Sequence, residues 1–116
     1  MHLYPMQRIL VCTDFSDSSN LALKAAEELR QRNQGSIHLL HVSELSLELN
    51  HVLTEPATYR DHILGGLKKL LEDKMDLQIL NCKATATPLI KSGNIIEVIK
   101  QLSDEGMYDL VVMGHG

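Results

Sequence analysis

The sequence predicts an α/β fold built on an open parallel sheet. Three observations carry that prediction. Two apolar runs, Ile9-Leu10-Val11-Cys12 and Leu110-Val111-Val112-Met113, lack the polar alternation of a half-exposed strand. Such runs suit strands covered on both faces, as in a parallel sheet. Strand-like and helix-like stretches alternate along the chain, which is the order of βαβ units with right-handed crossovers. The first run ends abruptly in Thr13-Asp14-Phe15-Ser16 and passes through Asp17-Ser18-Ser19 into a helical pattern. A buried strand, a polar turn and a helix start are the parts of a βα ligand site.

The elements follow in order. Met1 to Gln7 is a lead-in, with Pro5 just before the first strand, Ile9 to Thr13. Ser16 or Asp17 caps the next helix, since either side chain accepts a bond from a free N–H of the first turn. Leu21, Ala22, Ala25, Ala26 and Leu29 recur at helical spacing, and Gly35 is the expected left-handed stop. Ser36 to Val42 is the second strand. Ser43 to about Glu55 has no clear period. Thr54-Glu55-Pro56 opens a long second helix, with proline in the first turn. Its expected apolar stripe is Ile63, Leu64, Leu67, Leu70, Leu71 and Met75. Gly65-Gly66 weakens that helix by about 1 kcal/mol per glycine relative to alanine, so close packing is the expected reason for them. The third strand is placed at Asn81 to Ile90. Pro88 cannot donate to a ladder, so this strand is expected at a sheet edge or with a bulge. Ser92-Gly93-Asn94 is a turn with Asn94 as cap. Ile95, Ile96, Val98, Ile99 and Leu102 form the third helix, stopped near Gly106. Asp109 to Met113 is the fourth strand, followed by Gly114-His115-Gly116.

Bulk properties narrow the function. With 116 residues the chain makes one domain, and 44% hydrophobic residues favour collapse over disorder. A net charge of −4 and 3% aromatics argue against nucleic-acid and acidic-membrane binding. No apolar run approaches the ~20 residues of a membrane span, and the N-terminus lacks the apolar core of a signal peptide. Cytoplasmic residence is expected. Cys12 and Cys82 show no CxxC spacing and read as reduced, partly buried thiols. His38 and His41 lie three apart on a strand, so they face opposite ways and do not share a metal. His2, His51 and His62 lack ligand spacing. Ser16 has no base beside it and no GxSxG elbow around it.

In an open parallel sheet, ligands bind beyond the carboxyl ends of the strands where the strand order reverses. If the first and fourth strands are neighbours, Thr13 to Ser16 meets Gly114 to Gly116 there. Asp14 suits two roles: a helix-end cap, or an acceptor for ribose hydroxyls or a base amine. Gly114-His115-Gly116 suits a plain strand-end turn, or a loop whose N–H groups approach phosphate oxygens. His115 is placed to donate to a phosphate or a ribose. Glu44 and Glu48 read as surface, while Leu45, Leu47 and Leu49 cover a core edge or an interface.

Four segments carry a resemblance: RILVCTDFSDSS at the first strand, LLHV at the second, SGNIIEVI into the third helix and YDLVVMGHG at the fourth strand. Through them the chain resembles the universal stress protein family almost end to end. The resemblance implies a Rossmann-like, adenine nucleotide alpha-hydrolase-like sheet, ordered 3-2-1-4 here with the fifth strand missing. The single domain, 1–116, would then be incomplete at its C-terminus. It also implies ATP or a related adenine nucleotide as ligand, in a regulatory rather than catalytic role. Carried over, the nucleotide contacts fall on Thr13, Asp14, Val42, Met113, Gly114, His115 and Gly116. The family's ATP pattern spaces its first two glycines by two residues; Gly114 and Gly116 are separated by one. The pattern's later glycine-serine pair is absent, so phosphate binding is expected to be weak if the chain ends at Gly116. A homodimer or higher association is implied through the fourth-strand edge, with an unidentified protein partner also compatible. A nucleotide-free interaction domain is the competing reading. An ATP-pyrophosphatase enzyme is the third, and the glycine-free Thr13-Asp14-Phe15-Ser16-Asp17-Ser18 argues against it.

Overall fold

The structure, a computed structural model, describes residues 7–43 and 57–114. Strands are β1 (Arg8–Cys12), β2 (Ser36–Ser43), β3 (Thr87–Ser92) and β4 (Leu110–Met113). Helices are α1 (Asp17–Asn33), α2 (Ala57–Asn81) and α3 (Ile95–Asp104). The four strands form one sheet in the order β3-β2-β1-β4, and every pairing is parallel. This is the expected order. β3 lies at one edge, where the missing N–H of Pro88 leaves only one ladder to disturb.

The alternation of β1 divides the core. Ile9 and Val11 point to one face, where they meet Ala22, Leu23 and Ala26 of α1 and Met75 of α2. Leu10 and Cys12 point to the other, against Leu40 of β2 and Leu102, Val98 and Ile99 of α3. Ile9, Leu10 and Val11 are all fully buried, which explains the unbroken apolar run. Right-handed crossovers produce this division. The α1 and α2 connections step one way along the sheet, and the α3 connection crosses back to β4 on the opposite face.

Helix ends follow local chemistry. Ser16 caps α1, accepting from the Ser19 N–H at 3.2 Å. Asn94 caps α3, its side chain accepting from the N–H groups of Ile96 and Glu97. Gly106, at φ 67°, ends α3 as expected. The stop of α1 differs from expectation. Gln34, not Gly35, takes the left-handed conformation (φ 52°). Gly35 is required for another reason: a Cβ there would collide with the Gln7 carbonyl oxygen.

Four further expectations are corrected. α2 runs to Asn81, and β3 begins only at Thr87 rather than at Asn81. Helical periodicity persists to that end, since Met75, Gln78 and Cys82 are buried at spacings of three and four. Lys83 at φ 53° then breaks the pattern. Within the stripe assigned to α2, Leu70 is 65% exposed and only Met75 is fully buried. Nothing lies within 4 Å of a Cβ built at Gly65 or Gly66, so packing does not explain those glycines. In α1, Leu21 and Ala25 are exposed instead of buried. Among the described residues, no helix is long and apolar enough to cross a membrane.

Candidate functional site

Register gathers the candidate residues at one end of the sheet. Cys12 stands opposite Leu40 on β2 and Met113 on β4. One step beyond β1 therefore lies Thr13, level with Gly114; one step further lies Asp14, level with Val42. This is the carboxyl end of the sheet, at the point where β1 meets β4 and the strand order reverses. His115, Gly116, His2, His51, Glu44, Glu48, Leu45, Leu47 and Leu49 lie outside the described residues.

Asp14 is exposed, and its Oδ1 accepts from the Ser16 N–H at 3.0 Å. Bonds from the Ser16 side chain and N–H hold its carboxyl below the usual aspartate range. Asp14 is thus an anion at neutral pH. A carboxylate offers about four lone-pair sites, so one such bond leaves capacity for another donor. Gly114 stands against the first turn of α1: a Cβ there would lie 2.5 Å from the Ser18 carbonyl carbon and oxygen and 2.6 Å from the Ser19 nitrogen. Glycine at this position is what lets the end of β4 meet α1. Met113 is 47% exposed. Val42 is half-buried on the α3 face.

Thr13 is buried and fully engaged. Its N–H donates to the Leu40 carbonyl at 2.8 Å, and its carbonyl lies 3.0 Å from His41 Nδ1. Its hydroxyl donates to Gln78 Oε1 at 2.8 Å and accepts from the Phe15 N–H at 3.0 Å. Gln78 Nε2 donates to Ser19 Oγ at 3.1 Å and to Asn20 Oδ1 at 2.8 Å. Ser19 Oγ itself donates to the Ser16 carbonyl at 2.7 Å. That last bond fixes the orientation of the Gln78 amide. Ser19 has no proton left to give, so it must face the amide nitrogen.

Phe15 occupies the left-handed region at φ 65°, which is uncommon for a bulky residue. Three contacts hold it there. Its N–H binds Thr13, its ring lies 4.8 Å from that of His41, and Lys74 Nζ lies 4.4 Å from the ring centroid. His38 points to the opposite face, with Nδ1 2.7 Å from the Tyr108 hydroxyl. The two histidines are therefore separated by the sheet, as their spacing requires. Both cysteines are free and buried, and burial pushes the Cys12 thiol up to about 11, so it is an inert thiol at neutral pH.

Sequence reasoning missed Gln78 and Phe15. A glutamine on a polar-rich helix reads as solvated, and only the packing of α2 on the β1–α1 turn buries it. The run of small hydroxyl residues at 13, 16 and 19 was the available signal, because buried hydroxyls need partners.

Comparison with known proteins places the chain. The sequence model described as "Universal stress protein family" matches residues 5–116. No curated protein matches. Among solved structures, hypothetical protein MJ0577 superposes with a TM-score of 0.73 at 24% identity, covering 95% of this chain and 76% of that one. UspA from Lactobacillus plantarum gives 0.60 at 22% identity, covering 95% and 77%. A universal stress protein in complex with cAMP gives 0.58 at 21% identity, covering 90% and 69%. At these identities the structural likeness concerns the fold.

Proposed function

Because the chain belongs to the universal stress protein family, we propose that it is a non-catalytic regulatory module that binds an adenine nucleotide at the crossing of β1 and β4. One observation carries this reading: the parallel register brings an exposed carboxylate, Asp14, and a side-chain-free backbone, Gly114, to the same sheet end. Asp14 accepts from ribose hydroxyls. Val42 and Met113 offer apolar contact to a flat base. Gly114 lets the end of β4 close onto the first turn of α1, which brings the helix start and Asp14 to the same place for a phosphate or ribose to meet. The relative in complex with cAMP supports an adenine nucleotide as the ligand class. The absence of turnover is supported by the hydroxyls at the site: Ser16 and Ser19 are committed to the helix start and Thr13 to Gln78.

Calorimetry with ATP and with adenosine tests the reading. Saturable binding of at least one is expected. Asp14→Ala should weaken it by about tenfold, the loss of one charge-assisted bond. No heat from either ligand would sink it. Release of labelled phosphate from ATP at rates above background would refute the non-catalytic part.

A second reading rests on a different observation. Among the described residues, β4 pairs only with β1, and its outer edge has no strand beside it. Such an edge presents free N–H and C=O groups for another chain. We propose that this edge mediates self-association, with the nucleotide reading and the interaction reading compatible on one molecule.

A further inference from the structure

We infer that Gln78, a residue of α2, is a positioning residue that aims Asp14 at its ligand by fixing the β1–α1 turn from outside it. The inference rests on the nucleotide reading above for the identity of that ligand, but not for the positioning itself.

The geometry is a closed set of bonds. Gln78 is buried, at 7% exposure, and every polar atom of its side chain is used. Its oxygen orients the Thr13 hydroxyl proton. That leaves the Thr13 oxygen lone pairs facing the Phe15 N–H, which donates at 3.0 Å. Residues 13 and 15 are thereby clamped to each other, with Asp14 between them. The Gln78 amide nitrogen takes the other end of the turn through Ser19 and Asn20 in the first turn of α1. Ser19 in turn holds the carbonyl of Ser16, the residue whose N–H binds the Asp14 carboxylate. One amide thus grips both flanks of Asp14.

The held conformation needs such a grip. Phe15 at φ 65° is uphill for a bulky residue and persists only when its surroundings over-determine it. Without Gln78, the buried Thr13 hydroxyl has only the Ser19 oxygen, at 3.0 Å, to donate to, and the turn loses its amide anchor on α2. The peptide units on either side of Asp14 relax, and the Ser16 N–H moves away from the carboxylate. Glutamine suits the task because it accepts on one side and donates twice on the other. Neither leucine nor glutamate does both.

The test uses Gln78→Leu and Gln78→Met. Both lose the acceptor for Thr13 and both donations; methionine keeps the length and volume of glutamine and is the safer variant for folding. The first arm is ligand-free. Carboxyl carbon resonances of Asp14 and Asp109 are followed through an acid titration by NMR. Asp109 lies beyond the opposite end of the sheet, where Arg8 donates to it at 2.8 Å, and it serves as the internal reference. In both variants Asp14 should titrate about 0.5–1 pH unit higher than in the parent, with Asp109 unchanged. A general loosening of the fold would move both. Asp14 titrating as in the parent overturns the positioning role, whether or not the protein binds nucleotide. The second arm compares adenosine with 2′,3′-dideoxyadenosine. The parent should favour adenosine by about tenfold, and the variants by about twofold or less. Discrimination kept at the parental ratio overturns the link to the ribose. A parent that binds neither nucleoside refutes the nucleotide reading, while the titration still decides the role of Gln78.

Discussion

Glu27 shows how a single charged side chain inside a small fold ties two elements together. It is 6% exposed, on the sheet-facing side of α1. Arg30 Nη2 reaches it at 2.6 Å, and the Thr85 N–H from the α2–β3 connection reaches it at 3.2 Å. The Arg30 bond, followed by that from Thr85, holds its carboxyl below the usual glutamate range. A carboxylate depressed by folding adds stability above its unfolded value and loses it as pH falls through the lower folded value. Stability should therefore fall on acidification below about pH 4.5, the ordinary glutamate value. Urea unfolding of Glu27→Gln should show a flatter fall over that range than the parent. At neutral pH, Glu27→Ala should cost about 2 kcal/mol, because the Thr85 N–H loses its acceptor. A cost below about 0.5 kcal/mol in the same measurement would remove Glu27 from the list of anchors.

Individual elements were readable from the sequence to different depths, and the reasons are local. β1, the Ser16 cap and the Asn94 cap follow from short-range patterns: an unbroken apolar run, and side chains that satisfy the first N–H groups of a helix. The end of α2 was not readable, because Leu77 to Cys82 mixes apolar and polar residues in a way that fits a strand as well as a helix. Met75, Gln78 and Cys82 decide for the helix only once the β1–α1 turn is there to receive them. The place of Asp14 and Gly114 at the carboxyl end of the sheet was legible, because each closely follows an unbroken apolar run. Gln78 was not, since nothing in its neighbours along the chain marks it as buried. The two glycines of α2 give an element-scale prediction. Their open surroundings leave only the backbone entropy cost, so Gly66→Ala should stabilise the protein by about 1 kcal/mol in urea unfolding. Gly35→Ala should do the opposite, since its Cβ would displace the Gln7 carbonyl that accepts from the Ser36 N–H.

For the whole molecule, the sheet is asymmetric. β3 carries Pro88 at one edge, which blunts it against further pairing. Among the described residues the other edge is β4, which has no such residue from Leu110 to Met113. Self-association should therefore proceed from the β4 side. Sedimentation at tens of micromolar should detect a dimer, and a monomer across the accessible concentration range would count against it. The two layers are unequal as well. Among the described residues, the α1/α2 face buries nine core residues, including Met75 and Leu23, against four on the α3 face.

That inequality bears on how the molecule opens. Leu102 is the one buried residue of α3, and among the described residues β4 is held by a single ladder, to β1. The α3–β4 unit should thus detach in a partial opening well before β1 and β2 separate, as the least protected cooperative segment in native-state hydrogen exchange. Asp14 would stay with the slow-exchanging body, and Met113 and Gly114 would leave with the fast one. A molecule that bridges Asp14 and Gly114 must close that opening, so its binding should slow exchange at Val111 and Val112, while a molecule that touches Asp14 alone should leave those amides as they were.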